Sequence, residues 1–326
     1  MVKSKLVALG LALVMILSLV GCGQQAAQSK SGESAPAAKK KVVIGFSLAN
    51  FDDKWLSYML NAAQAQAKTY TDAEVIFVDA KNDSAKQMSQ VESFIAQKVD
   101  AMVINPVNTD ATEPLTKAAK AANIPLISVN RFFKNQDEAT AYVGSESIQS
   151  GILQMQYAGE KMGGKGNIVI LRGGDGHEAS VNRTEGNKKV IREKYPDIKI
   201  VAEQNGNWDR AKAMSITENW IQSGIKFDAV IANNDEMAIG AIMALKDAKL
   251  IAKVFVAGID ATPDALQFMK EGTLKATVFQ NAKGQGAGSI EAAYKVAKGE
   301  KIDKNVFIPF ELVPPDKIDE YLAKWK

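Results

Sequence analysis

The sequence predicts an α/β protein of two doubly wound domains, each a parallel sheet covered by helices on both faces. Three observations predict it. Short β-rich runs alternate with helical segments from Val42 onward. The runs are apolar throughout rather than alternating, which is how strands buried on both faces read. The 326-residue chain is 46% apolar, enough for about two domains, and its many strand units exceed one comfortable sheet.

In chain order the runs are Val42–Leu48, Glu74–Asp79, Ala101–Asn105 and Pro125–Asn130, then Asn167–Leu171, Lys199–Glu203, Asp228–Ala232, Val254–Ile259 and Ala276–Phe279. The segments between them have helical spacing. Ser84–Lys98, for instance, sets Met88, Val91 and Ile95 on one face, with Asp83 or Ser84 able to cap it. Trp220 sits on a helical face and reads as core. No sequence repeat relates the halves, so any duplication is one of architecture.

The first residues read as an address. Lys3 and Lys5 precede the apolar run Leu6–Val20, whose 15 residues fall short of the roughly 20 that a spanning helix needs. Leu19-Val20-Gly21-Cys22 resembles a bacterial lipobox. That resemblance implies a lipoprotein signal peptide over 1–21, cleavage before Cys22, lipid on Cys22, and export. Residues 22–40 hold the lipidated Cys and a Gln, Ala, Ser, Gly and Lys stretch without aromatics, read as a flexible tether. Losing Lys3 and Lys5 lowers the formal charge from +3 to +1 and leaves a 305-residue mature chain, Cys22–Lys326.

This charge balance does not advertise nucleic-acid binding. One Cys excludes an internal disulfide framework and a multi-Cys metal site, and one His excludes a multi-imidazole site. With the Cys lipidated there is no Cys nucleophile. Gly173-Gly174-Asp175-Gly176 and Gly284-Gln285-Gly286-Ala287-Gly288 match neither glycine-rich phosphate-binding pattern. No catalytic grouping stands out.

In open parallel sheets ligands bind beyond the carboxyl ends of the strands. The loops there are Asn50–Trp55, Asn130–Phe133, Gly173–His177, Asn207–Asp209, Asn233–Asp235, Asp260–Thr262 and Gln280-Asn281. They concentrate Asp, Asn, Arg and Trp. Asp accepts, Arg donates a planar fork and Asn does both, while Trp55 and Trp208 can cover C–H faces. That mixture suits a neutral polyol. Asn234 and Asp260 could equally cap helices, and Phe51 and Phe132 could wall the cleft or pack internally.

The block Ile231-Ala232-Asn233-Asn234-Asp235-Glu236-Met237-Ala238-Ile239-Gly240 resembles bacterial sugar-binding proteins of the ribose and galactose type. Asn105-Pro106 and Gly258-Ile259-Asp260-Ala261-Thr262-Pro263-Asp264-Ala265 do so too, and the similarity runs from about Val42 to the end of the folded body. The resemblance implies a type I periplasmic binding protein, two Rossmann-like lobes joined by three hinge crossings. One lobe would be 41–144 with 280–307, the other 145–279 with 308–326. It implies the substrate-binding lipoprotein of an ABC importer, a monomer lipid-anchored to the outer face of the cell membrane or in the periplasm. Its partners would be a small sugar or cyclitol and a membrane permease, with no nucleic acid, cofactor, metal or catalysis. Carried over by position, it points to Asp53, Trp55, Asn130, Arg131, His177, Arg183, Trp208, Asn234, Asp260 and Gln280 as ligand contacts. Asp53, Arg131, Arg183, Asn234, Asp260 and Gln280 would bind hydroxyls, and Trp55 and Trp208 would sandwich the ring.

Two departures stand out. The galactose type has an Asp two residues after the His, where this chain has Ala179; Glu178 is the nearest substitute. Its calcium loop corresponds to Met162–Asn167, which has no carboxylate. Ala96–Ala101, Asn105–Asp110, Val129–Arg131, Gln280–Ala282 with Gly284–Gly286, and Pro309–Val313 resemble the inositol branch, so myo-inositol or a close cyclitol is expected. Residue chemistry alone leaves a hexose or pentose (glucose, galactose, ribose) open, and a ligand-delivering sensor for a membrane receptor remains an alternative role. Repressors that share this body carry a helix-turn-helix where this chain has the lipobox and tether.

Overall fold

The computed structural model describes residues 41–325. The expected signal peptide, lipid-bearing Cys22 and tether lie outside them. The first lobe opens with β1 (Val42–Leu48), α1 (Lys54–Ala67), β2 (Ala73–Asp79), α2 (Ser84–Ala96), β3 (Ala101–Ile104), α3 (Glu113–Ala121), β4 (Leu126–Val129) and β5 (Ala141–Gly144). The second contains α4 (Ser147–Lys161), β6 (Lys165–Arg172), α5 (Glu178–Lys194), β7 (Asp197–Asn205), α6 (Arg210–Gln222), β8 (Ala229–Ala232), α7 (Asp235–Asp247), β9 (Phe255–Ala257), α8 (Pro263–Lys270) and β10 (Thr277–Phe279). The chain then continues through α9 (Ala282–Ala297), β11 (Asn305–Phe307), β12 (Glu311–Val313) and α10 (Ile318–Lys324).

The strands form a six-stranded sheet, β11-β5-β4-β3-β1-β2, and a four-stranded sheet, β7-β6-β8-β9, both wholly parallel. β10 pairs antiparallel with β12 in a separate ribbon and touches the second sheet through single bridges. The chain passes between the sheets after β5, after β10 and after β11.

Each large sheet is covered on both faces, with strand residues alternating between two cores. In β6, Val169 and Leu171 join Trp220, Met237 and Ile242 on one side, while Ile168 and Ile170 join Met155 and Val190 on the other. In β3, Ala101 and Val103 face one core and Met102 and Ile104 the other. This two-faced burial is why the runs were readable. Asp83, rather than Ser84, caps α2, accepting from the backbone N–H groups of Ala85 and Lys86 at 2.8 and 3.0 Å.

Three strands escape the sequence pattern. β5, β11 and β12 have three or four residues each and flank the crossings, and β11 and β12, partly exposed, leave no apolar run. The antiparallel β10–β12 pair corrects the expectation of parallel pairing alone: after the third crossing β12 runs back along β10.

Close helix packing fixes the position of α5. A β-carbon on Gly151 of α4 would overlap the Arg183 carbonyl oxygen, and one on Gly186 of α5 would overlap the Ile148 carbonyl oxygen. The two backbones therefore meet through glycines, and Arg183 lies at the crossing. Gly151→Ala should lower the unfolding free energy by about 1–3 kcal/mol through overpacking, read by urea denaturation. An unchanged midpoint would contradict this crossing.

Candidate ligand-binding cleft

The carboxyl ends of the strands in both sheets converge on one cavity of about 700 Å³, within the roughly 300–1,000 Å³ range of small-molecule sites. It adjoins a narrow inner chamber of about 40 Å³. Asp53, Trp55, Arg131, Trp208, Asn234 and Asp260 line both. Asn130, Arg183 and Gln280 line the inner chamber, and His177 the outer cavity. All the expected site residues thus surround one space.

Arg183 is the centre of the arrangement. It projects from α5, buried, and donates from Nη1 to the Asn233 carbonyl at 2.6 Å and from Nη2 to Gln280 Oε1 at 2.8 Å. Asp260 Oδ1 lies 3.5 Å from Nη1. The guanidinium carbon sits 5.5 Å from the Trp208 ring centre and 5.7 Å from that of Phe310. Its Nε is buried without a hydrogen-bond partner among the described residues. Arg131, from the loop after β4, is also buried and donates to the Pro106 carbonyl at 2.8 Å.

Loss of water governs the electrostatics. Burial pushes the Asp53 carboxyl up and the Asp260 carboxyl well up, outweighing the nearby Arg131 and Arg183 respectively. Burial also pulls Arg131 down to about 10. Each charge is held where it is only partly compensated. Hydroxyl groups that donate to the carboxylates and accept from the guanidiniums would supply what water no longer does.

Several residues carry a structural duty as well. Asp53 caps α1, accepting from Leu56 N at 2.9 Å. Asn234 caps α7 through Met237 N at 3.0 Å, and its amide donates to the Trp208 carbonyl at 3.3 Å. Asp260 caps nothing; Thr262 caps α8 instead. The Trp55 indole donates to the Gln280 carbonyl at 3.3 Å, fastening the first lobe's ring to the second crossing. Asn130, Trp208 and Asp260 have φ of 67°, 64° and 125°, a region side-chain-bearing residues rarely adopt. Backbone strain of this kind gathers at functional sites.

His177, expected as a ligand contact, lines the outer cavity and is bonded within the protein. Trp208 Nε1 donates to its Nδ1 at 2.6 Å, and its Nε2 lies 2.9 Å from the Val107 carbonyl. Both ring nitrogens are therefore engaged. Glu178 does not replace the missing Asp: its carboxylate bonds Ser147 and Asn182, away from the cavity, and Ala179 lines the inner chamber. Phe132 packs on Tyr142 with ring centres 4.3 Å apart, and Phe51 joins the first lobe's core. Sequence reasoning missed Phe310, although it lies in the quoted Pro309–Val313 block. It also missed the outer-cavity residues Asn108 and Glu236, which lie within quoted blocks, and Arg210, which follows the Asn207–Asp209 loop.

Arg183→Met should destabilise the protein by about 3–5 kcal/mol, because the Asn233 carbonyl and Gln280 Oε1 lose their donor and Asp260 loses its opposing charge. Arg183→Met with Asp260→Asn should recover part of that loss in urea denaturation. Strict additivity of the two changes would contradict their coupling.

A family profile described as periplasmic binding protein domain matches residues 44–301. A Rhizobium meliloti protein named for rhizopine binding is 45% identical over 286 residues, 86% of this chain and 93% of its own. A crystal structure of an ABC transporter solute-binding protein from Bacillus halodurans with bound myo-inositol is 49% identical. It superposes with a TM-score of 0.86 over 89% of this chain and all of that one. The Caulobacter myo-inositol-binding protein, bound to myo-inositol, is 26% identical with a TM-score of 0.82, over 90% of this chain and all of its own. Each of these is named for binding a solute and none for a reaction. The chain belongs to the periplasmic binding protein family.

Proposed function

We propose that this chain is the sugar-binding component of an ABC importer, taking a monosaccharide-sized polyol between its two lobes. Myo-inositol or a close cyclitol is the solute. The observation that carries the reading is the set of under-paired charged groups converging from both lobes: half-buried Asp53 and buried Arg131 from one side, buried Arg183 and Asp260 from the other. The bound myo-inositol of the 49% identical structure supports the choice of ring.

In this reading Asp53, Arg131, Arg183, Asn234, Asp260 and Gln280 meet hydroxyls, with Asn130 beside them, and Trp55 and Trp208 cover the ring faces. Residues 41–144 with 280–307 close on residues 145–279 with 308–326. Hinge closure needs only that the solute bind the closed form better than the open one. A permease reads the closed shape. Lipid on Cys22 would hold the protein at the membrane surface, since no helix among the described residues is long and apolar enough to cross one.

The test uses residues 23–326 with myo-inositol, glucose, galactose and ribose. At a thousand times its Kd a ligand stabilises the native state by about 4 kcal/mol, a readable rise in melting temperature. Myo-inositol alone should produce it. A rise with an aldose alone would overturn the cyclitol assignment, and silence from all four would overturn the site. Asp260→Ala and Trp208→Ala should each weaken myo-inositol binding roughly 10- to 100-fold by calorimetry while keeping the circular dichroism of the native fold. For the anchor, full-length protein expressed in a bacterium should partition into the detergent phase of Triton X-114, and Cys22→Ala should not.

A further inference from the structure

The loop Gly173–His177 is not a phosphate loop, yet three of its glycines are required. A β-carbon on Gly173 would overlap the Trp208 ring. One on Gly174 would crowd His177 Nδ1 and Trp208 Nε1, at 2.9 and 3.1 Å. Gly176, at φ 72°, meets the Asn108 side chain of the other lobe. The loop is shaped to hold His177 and Trp208 together and to set His177 against the first lobe. The two rings lie nearly parallel, 12° apart.

At this loop the lobes meet through hydrogen bonds to Val107 and Thr109. Thr109 N donates to the Gly176 carbonyl at 2.8 Å, and Glu178 N donates to Thr109 Oγ1 at 3.0 Å. His177 Nε2 meets the Val107 carbonyl. Since Nδ1 accepts from Trp208, the proton of the neutral ring sits on Nε2 and is given to Val107. Opening the hinge must break the bond to Val107, because its partners belong to different lobes. The bond to Trp208 lies within one lobe and can survive.

We propose that His177 is a positioning residue that couples lobe closure to the seating of Trp208, with its Nε2–H on the Val107 carbonyl and its Nδ1 on the Trp208 indole. It acts on the solute through Trp208. This rests on the reading that the lobes close on a polyol, and it makes closure sensitive to protons. A proton on Nδ1 would face the Trp208 N–H, so a charged ring cannot hold the indole.

In the closed arrangement burial, and then Arg131 from the first lobe, pull His177 down to about 3. The other charged groups nearby are Asp175 on its own loop, Glu178 turned to Ser147 and Asn182, and Asp209 capping α6. The loop Asn105–Thr109 that packs on the ring has no charged side chain. Opening removes both the burial and Arg131, so the ring moves back toward its ordinary value of about 6.5. A group with a depressed pKa in the closed state opposes closure as pH falls. Affinity is then full above about pH 6.5 and weakens by up to about tenfold per pH unit below it.

His177 is the chain's only histidine, so one imidazole proton resonance reports it in tag-free protein comprising residues 23–326. The lobes are held together without any ligand by cross-linking a Lys54→Cys/Asp264→Cys pair, whose native side chains lie 3.5 Å apart across the mouth, with a short bismaleimide. The midpoint should stand near 6.5 in the unlinked protein and fall by at least one pH unit on cross-linking. Equal midpoints in the two forms would overturn the proposal, whichever polyol binds. Failure of the functional reading is seen separately, as silence in the polyol titration. With myo-inositol, wild-type affinity should fall between pH 7 and pH 5. His177→Gln, which keeps an N–H for Val107 but does not titrate, should lose affinity less steeply over that range than the wild type, the remaining slope coming from the Asp53 and Asp260 carboxyls. A wild-type slope retained in His177→Gln would also overturn it.

Discussion

The buried Arg183 guanidinium is the interaction on which the rest of this protein depends. It reaches from α5 to the end of β8 through the Asn233 carbonyl, to Asp260 beyond β9, and to Gln280 at the second crossing. Phe310, just beyond the third crossing, lies against its face. One cation thus joins the strand ends that shape the second lobe's half of the cleft to two of the segments about which the lobes move. The glycine crossing of α4 and α5 exists to bring it there. Its low exposure makes these links mutually necessary, because removing any partner leaves a buried charge or carbonyl uncompensated.

That constraint also explains why the cleft suits a neutral solute with many hydroxyls. Arg183 brings an opposing charge to Asp260, as Arg131 does to Asp53, but neither carboxyl escapes the upward push of burial. An anion or cation would disturb this balance. A polyol adds hydrogen bonds without adding charge, and its C–H faces match Trp55 and Trp208. On the proposed reading a solute would complete both half-sites at once, which is the differential affinity closure requires. The outer cavity, with Arg210 bound to Glu236 at 2.8 Å, forms the approach to that inner site.

Much of this was legible in the sequence because parallel strands buried on both faces leave long apolar runs, and because ligand loops follow those runs. β5, β11 and β12 were not legible; β11 and β12 are three partly exposed residues each and leave no apolar run. The identity of the cleft residues was legible, but their division of labour was not. Asn234 was read as a hydroxyl partner or a cap and is at least a cap. His177 was read as a ligand contact, and its nitrogens are engaged by Val107 and Trp208, residues 70 and 31 positions away. Phe310 gave no local signal, because its importance comes only from the guanidinium that folding sets over it.

The most direct test of the central claim is a crystal structure of residues 23–326 grown with myo-inositol. The account predicts one ring in the space that the inner chamber and the outer cavity share, its faces against Trp55 and Trp208. Its hydroxyls would be bonded to Asp53 and Arg131 from one lobe and to Arg183 and Asp260 from the other. A ring held by one lobe alone, or seated at the mouth beside Arg210 and Glu236 with Arg183 and Asp260 untouched, would contradict it.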